Sequence, residues 1–140
     1  MNALDLLKKD HQTVRELFQR LENRPEAADF STLKNELTEH ATLEEEMFYP
    51  ELRDDEENED QVMKAYEEHA EVKRTLLELT DIGIGNEGWM EKLIQLKESV
   101  EQHVEEEEQE LFGIAIETFS DEELDELGMR MEQHKAEHLV

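Results

Sequence analysis

Histidine and glutamate recur where a helical pattern in this 140-residue chain calls for apolar side chains. His40 is followed four residues later by Glu44. His103 is followed in the same way by Glu107. Residues i and i+4 of an α-helix lie on one face, about 6 Å apart along the axis. Each pair can therefore direct an imidazole and a carboxylate toward one metal ion, and a carboxylate can also bridge two ions.

Two further histidines make this pattern a repeat. His11 precedes the first pair and His69 precedes the second, so the chain contains His … His-x-x-x-Glu twice. An unpaired buried charge costs several kcal/mol, so inward-facing glutamates need a compensating cation. The mixed nitrogen and oxygen set suits iron better than calcium or magnesium, while zinc and manganese stay open on ligand type. We therefore predict a site for two metal ions with these ligands: His11, His40, Glu44, His69, His103 and Glu107.

Four long amphipathic helices are predicted to position these residues. Apolar residues recur in steps of three and four, which is typical of helices with one buried face. The predicted helices cover approximately residues 3–22, 30–52, 61–79 and 87–118. Short connections between them predict an all-α, antiparallel up-down four-helix bundle, with a histidine near the middle of each buried face. The acidic run 54–60 is interpreted as a solvated loop or a helix end.

A shorter fifth helix is predicted from about residue 120 to residue 138. Ser120 and Glu123 have the spacing of a capping box, in which each side chain bonds the other residue's amide. His134 lies on the apolar face of this helix, and we include it as a candidate fifth histidine ligand. The competing interpretation is that His134 and His138 are ordinary residues of a C-terminal helix. We expect one domain over residues 1–140, with the bundle at about 3–118.

The bulk composition excludes several function classes. The chain has no cysteine, which excludes disulfides, thiolate metal sites and cysteine nucleophiles. A net charge of -26 argues against nucleic acid or an anionic membrane as a partner, because phosphates are repelled. No apolar run approaches the roughly 20 residues of a membrane span, and the first residues do not resemble a signal peptide. We expect a cytoplasmic protein, and the sequence leaves its oligomeric state open.

The segments around the candidate ligands resemble the hemerythrin-like, HHE cation-binding family. They are Asp10-His11, His40–Pro50, Glu68-His69 and His103–Phe112. The resemblance implies a non-haem centre of two iron ions, joined by an oxo or hydroxo bridge, that binds dioxygen or a related small ligand. Ferritin-like di-iron bundles use Glu-x-x-His instead. No histidine here has a glutamate three residues before it, which disfavours that alternative.

Three departures from the oxygen-carrying hemerythrins bear on function. Those proteins bring two histidines, four apart, from the third helix, whereas Lys73 follows His69 here. Their last carboxylate lies five residues after the last histidine, whereas the apolar face here selects Glu107 over Glu108. Their tryptophan four residues before that histidine is replaced by Ser99. These differences favour oxygen or redox sensing, iron handling, or peroxide or nitric-oxide chemistry over reversible oxygen carriage. The alternatives are an enzyme acting on peroxide or nitric oxide, and a metal store or non-catalytic interaction module.

Aromatic residues near the candidate ligands are interpreted mainly as core. Phe48 and Tyr49 are expected to pack at the end of the second helix. Tyr66 faces inward one turn before His69, where core packing is favoured over a hydrogen bond to a ligand.

Overall fold

Helices account for the whole architecture of the described chain. The computed structural model describes residues 1–53 and 58–138, apart from the side chains of residues 53 and 138. The helices, with two π-helical turns, are α1 (Ala3–Asn23), α2 (Ala27–Leu43), π1 (Glu44–Phe48), α3 (Tyr49–Arg53), α4 (Glu59–Ile82), α5 (Trp89–Glu106), π2 (Glu107–Leu111), α6 (Phe112–Thr118) and α7 (Asp121–His138). Within those residues there is no strand, and no helix has the length and hydropathy needed to cross a bilayer.

The predicted four-helix bundle with a fifth helix is confirmed. The segments α2, π1 and α3 run on as one rod, and α5, π2 and α6 form a second. With α1 and α4 they make the four rods of the bundle. In the first helical hairpin α1 packs against α2, and in the second α4 packs against α5. Residues 54–57 of the predicted acidic loop lie outside the described residues. Its last two residues, Glu59 and Asp60, belong to the first turn of α4.

Local signals in the sequence set several helix ends. The Asn2 side chain accepts a hydrogen bond from the Asp5 amide at 2.8 Å and caps α1. The predicted capping box is confirmed: the Glu123 amide donates to Ser120 Oγ at 3.1 Å, and the Ser120 amide donates to Glu123 Oε1 at 3.0 Å. Gly83 ends α4 with a φ of 83°, a backbone conformation that favours glycine.

The core consists of two apolar clusters separated by a polar layer. In α1, Leu7 belongs to the first cluster, Val14 belongs to the second, and His11 lies between them. The same order holds in the other three rods. Every predicted ligand of the bundle therefore lies at mid-height, where both apolar clusters exclude water from it.

Helix α7 contributes to the first apolar cluster without being one of the four rods. Its residues Leu124, Leu127 and Met131 join the first cluster. Gly128 approaches the start of the chain so closely that an added Cβ would lie 2.2 Å from the Met1 carbonyl oxygen. Helix α7 thus packs on the outside of α1 and π1 rather than entering the centre of the bundle.

Candidate metal centre

The structure brings together all six ligands predicted within the bundle. They form two groups, in each of which the potential ligand atoms lie within 4.8 Å of one another. One group is His11, His40, Glu44 and Glu107, and the other is Glu44, His69, His103 and Glu107. All six side chains are buried, and Glu44 is 0% exposed. The two glutamates belong to both groups, so the groups overlap, and each of them could hold a metal ion.

The atoms that converge at the centre of the site are imidazole nitrogens and carboxylate oxygens, which are common metal ligands. Nε2 of His11 lies 3.2 Å from Nε2 of His40, and the same distance separates Nε2 of His69 and His103. Glu44 Oε1 is 3.2 Å from His40 Nε2 and 3.1 Å from His69 Nε2.

Two carboxylate oxygens in this layer lack hydrogen-bond donors. Among the described residues, Glu44 Oε2 and Glu107 Oε1 are buried and accept no hydrogen bond. A buried acceptor without a partner costs about 1–3 kcal/mol, and more when charged. Glu107 Oε1 lies 3.3 Å from His11 Nε2, and a bound cation would satisfy both oxygens together with the converging imidazole nitrogens. The residues present therefore fit a metal centre.

Carboxylates also hold the outward-facing nitrogen of two histidines. His40 Nδ1 lies 3.0 Å from Asp10 Oδ2, and His103 Nδ1 lies 2.9 Å from Glu68 Oε1. In each hairpin, the acidic residue just before one histidine therefore bonds the other histidine of that hairpin. Such bonds fix the tautomer and ring orientation of a metal-binding imidazole and leave Nε2 free to face the metal.

The residues immediately after the shared glutamates complete this arrangement. Glu45 Oε2 lies 3.4 Å from His69 Nδ1, and Glu108 Oε2 lies 3.8 Å from His11 Nδ1. Each of these carboxylates comes from one hairpin and faces a histidine of the other. The placement agrees with the choice of Glu107 as the inward residue, because Glu108 lies on the outer side of the His11 ring.

A π-helical turn begins at each shared glutamate. The Tyr49 amide donates to the Glu44 carbonyl, and the Phe112 amide donates to the Glu107 carbonyl, so both bonds span five residues. Single π-helical turns within α-helices are rare and are frequent at functional sites. The wider turn returns the fifth residue, rather than the fourth, to the face of the glutamate. The fifth residue is Tyr49 after Glu44 and Phe112 after Glu107.

Tyr49 is a site residue that the sequence interpretation missed. Its hydroxyl donates to Glu44 Oε1 at 3.2 Å and also to Glu107 Oε2, and it lies 3.4 Å from His69 Nε2. Burial, followed by the charges of Glu107 and Glu44, raises the pKa of Tyr49 well above its usual value. In the metal-free chain it is therefore a neutral donor at the centre of the cluster. No pattern of threes and fours identifies Tyr49, because it comes five residues after Glu44 and reaches the face of that glutamate only through the π-helical turn.

Tyr66 has a different role from Tyr49. It is half-buried against the first apolar cluster, as predicted, and its hydroxyl also donates to the Glu45 carbonyl at 3.1 Å. Pro50 lacks the amide that would bond this carbonyl across five residues. The Tyr66 hydroxyl thus supplies a donor that the proline cannot.

The charges of the site shift the pKa of several groups strongly. Burial alone would lower the pKa of His103, but hydrogen bonds to Glu107 and Glu68 outweigh it and raise the pKa to about 10. The pKa of His40 is likewise raised, against burial, by the charge of Glu44 and the bond to Asp10. Burial would raise the pKa of Glu44, but the charge of His40 holds it well below its usual value. The carboxylates of the centre therefore favour the charged forms of His40 and His103, and His40 favours the charged form of Glu44.

His134, a predicted ligand, lies outside both groups of the centre. Its Nε2 is 3.7 Å from Glu46 Oε2, on the outer side of π1. The physical reason is the position of α7, which covers the outside of α1 and π1. An apolar face identifies the buried side of a helix but not the neighbour that covers it, so the predicted fold-back of His134 does not occur.

An apolar cavity of about 40 Å³ adjoins the four histidines. Apart from Thr38 and Lys73, its other lining residues are apolar, and no carboxylate contributes to it. Its lining is His11, Val14, Leu37, Thr38, His40, Ala41, His69, Val72, Lys73, Leu76, Val100, His103 and Val104. A single water needs about 10–15 Å³ measured in this way, so the space admits a diatomic molecule.

Comparison with known proteins identifies the family. The crystal structure of a hemerythrin HHE cation binding domain-containing protein from Mycobacterium kansasii matches with a TM-score of 0.84 and 28% identity, over 99% of this chain and 90% of that one. A DNA nickase from Nostoc is 32% identical over 130 residues, which are 90% of this chain but 37% of that protein. The chain thus spans little more than a third of that relative. The hemerythrin HHE cation binding domain model matches residues 2–115, and the chain belongs to this family.

Proposed function

We propose that this protein is a non-haem di-iron protein that binds dioxygen or a related small ligand, for oxygen or redox sensing or iron handling. The observation that carries the proposal is the pair of buried ligand groups sharing Glu44 and Glu107. Each group offers two imidazoles and carboxylate oxygens. Two histidines with a carboxylate and open positions are typical of non-haem ferrous sites that react with oxygen.

The surrounding residues would orient the ligands and adjust their protonation. Asp10 and Glu68 accept from the outer nitrogens of His40 and His103, which keeps Nε2 directed inward. Metal binding requires neutral imidazoles, so His40 and His103 would each release a proton on loading. Bound iron would supply the one-electron and oxygen chemistry that protein side chains lack.

The apolar cavity supports a small neutral ligand. It reaches all four histidines and no glutamate, so a molecule inside it would lie on the imidazole side of the two positions. A neutral diatomic molecule loses little hydration free energy on entering an apolar cavity, whereas a charged or strongly hydrated molecule loses much more. The cavity is therefore a selective approach to the centre for ligands such as dioxygen or nitric oxide.

Anaerobic reconstitution with ferrous iron tests the proposal. The loaded protein should be pale under argon, hold about two irons per chain, and develop near-ultraviolet charge-transfer bands in air. An unchanged spectrum on aeration would contradict oxygen chemistry. Reversal of the bands under vacuum would indicate a carrier, whereas clearly more than two irons per chain would indicate a store.

A second candidate function is the turnover of peroxide or nitric oxide, and the position of Lys73 favours it. The lysine stands four residues after His69 and lines the cavity, with Nζ 3.3 Å from Glu45 Oε2. It supplies no metal ligand, so each position keeps only two imidazoles and the shared carboxylates, which leaves room for a substrate. Assays of iron-loaded protein beside a His103→Ala variant test this candidate. Equal rates in both would remove it.

DNA nicking, the activity named for the Nostoc relative, is not part of the proposal. The net charge of -26 opposes approach to DNA phosphates. The matched region is also only 37% of that protein. Incubation of the iron-loaded chain with supercoiled plasmid, with a radical scavenger present, should leave the plasmid intact.

A further inference from the structure

A second opening leads to the centre between α4 and the rod of α5 and π2. It is narrow, about 20 Å³, and it extends from exposed Gln61 and Glu110 to buried His103 and Glu107. Its complete lining is Gln61, Lys64, Ala65, Glu68, His103, Glu106, Glu107, Glu110 and Leu111. It shares only His103 with the apolar cavity, so the centre has two chemically different approaches.

Carboxylates line this opening, which we call the acidic opening, along its whole length. Glu110 is exposed, Glu106 and Glu68 are partly buried, and Glu107 is buried at the inner end. Lys64 is the one lysine in its lining, with Nζ 3.1 Å from Glu106 Oε2. At the inner end, Glu107 is 1% exposed, and its Oε1 accepts no hydrogen bond among the described residues. Glu107 Oε1 lies 3.3 Å from His11 Nε2, so the row of carboxylates ends at a buried oxygen of the candidate metal centre.

The repeat in the chain supplies an internal comparison. Matching His11 with His69 and His40 with His103 assigns each residue of the acidic opening an equivalent in the first hairpin. Lys64 then corresponds to Leu6, and Glu106 corresponds to Leu43. Both leucines are buried in the cluster that α7 completes. In the first hairpin these two positions are therefore apolar and buried.

We propose that the acidic opening is the path by which a divalent cation enters the centre, and this inference rests on the proposed metal-binding function. The apolar cavity offers a cation no carboxylate and would impose a large desolvation cost. The acidic opening instead provides oxygen ligands from the surface to Glu107. The Lys64 ammonium occupies the outer position beside Glu106, where an incoming cation displaces it.

Uptake kinetics test this path. Metal-free protein is mixed with ferrous iron under argon, excess chelator stops the reaction at timed intervals, and protein-bound iron is measured. The double variant Glu106→Gln and Glu110→Gln should lower the initial rate at least about threefold, because clefts of one charge raise the local cation concentration and the on-rate. Its final iron content should equal that of the unaltered protein, since neither residue belongs to the ligand groups. A Lys64→Gln variant should load faster.

A matched control separates the path from the overall charge. The double variant Glu122→Gln and Glu126→Gln removes two exposed charges of α7, also spaced by four residues, and should load at the unaltered rate. Equal rates for both double variants, or an unchanged rate for Lys64→Gln, would overturn the path. Failure of the unaltered protein to take up iron would instead overturn the proposed function. Circular dichroism verifies that each variant is folded.

Discussion

Tyr49 and Phe112 occupy equivalent positions, five residues after Glu44 and Glu107, yet only Tyr49 has a hydroxyl to donate to the shared carboxylates. The Phe112 ring stacks instead on His11, with ring centroids 6.1 Å apart and planes at 10°. The two halves of the site thus have the same types of ligand and one π-helical turn each. Only the turn that begins at Glu44 is followed by a residue with a hydroxyl. This hydroxyl lies 3.4 Å from His69 Nε2, and it bonds the two glutamates that both groups share.

Replacing Tyr49 with phenylalanine should destabilise the metal-free protein. The change removes a donor from two buried carboxylates and leaves the aromatic packing in place. A hydrogen bond to a charged group is worth about 1.5–3 kcal/mol, and the free energy of unfolding should fall by that amount. Urea denaturation of the protein in the presence of a chelator measures the loss.

Tyr66→Phe is the matched control for this variant. Its hydroxyl bonds a backbone carbonyl rather than the carboxylates, so its removal should cost about 0.5–1.5 kcal/mol. A smaller loss for Tyr49→Phe than for Tyr66→Phe would show that the central hydroxyl does not support the buried charges.

Metal content should depend differently on a histidine and on a shared glutamate. His40 belongs to one group only, so His40→Ala should reduce the content to about one ion per chain. Glu44 belongs to both groups, so Glu44→Ala should reduce it further, and thermal stability should fall with it. Elemental analysis of purified protein gives the stoichiometry.

Glu46→Ala, in the same π-helical turn but with a side chain 65% exposed, should retain full metal content. Unchanged metal content in Glu44→Ala would count against the bridging assignment.

The metal-free protein should lose stability as the pH rises above neutrality. The pKa of His103 is about 10 in the folded chain, compared with about 6.5 when unfolded. Its contribution is therefore complete below pH 6.5 and is lost as the pH rises toward 10. The lowered pKa of Glu68, which accepts from His103, acts on the acid side, where its contribution disappears as the carboxylate protonates.

Thermal unfolding with a chelator present, at pH 6, 8 and 9.5, measures this dependence. The unfolding midpoint should fall across the series. His103→Gln should flatten the alkaline part of the profile, because it removes the titrating group while keeping a polar side chain of similar length. An equal slope in the variant would assign the loss to other groups.

Close packing of α7 predicts opposite effects at two helical glycines. A Cβ at Gly128 would collide with backbone atoms of residues 1–3, so Gly128→Ala should cost about 1–3 kcal/mol. Gly113 has no neighbour within 4 Å of such a Cβ, so Gly113→Ala should stabilise the protein by about 0.5–1 kcal/mol. Thermal denaturation of both variants measures the difference. Similar effects in both would mean that α7 does not pack tightly on the start of the chain.

The sequence predicts the bundle and its six central residues because both follow from helical periodicity. A histidine or glutamate on an apolar face, such as His11 or Glu44, is visible without a structure. The π-helical turns are not, since a bond spanning five residues leaves no mark in a pattern of threes and fours. Tyr49 was missed for that reason. The bond between Asp10 and His40 joins two helices, and its partners depend on how the helices pack.

A larger side chain in the apolar cavity should block small ligands while the metal ligands stay in place. Ala41 follows His40 and lines the cavity, whereas Ala70 follows His69 and is exposed. Ala41→Leu should keep the metal content of the unaltered protein but weaken binding of dioxygen or nitric oxide. If the ligand must displace the new side chain at the usual overpacking cost of about 1–3 kcal/mol, affinity falls roughly 5- to 150-fold. Titration of the charge-transfer bands with the ligand measures this, and Ala70→Leu is the matched control. Because both variants add the same atoms beside a histidine, equal affinities would mean that ligands reach the centre by another approach.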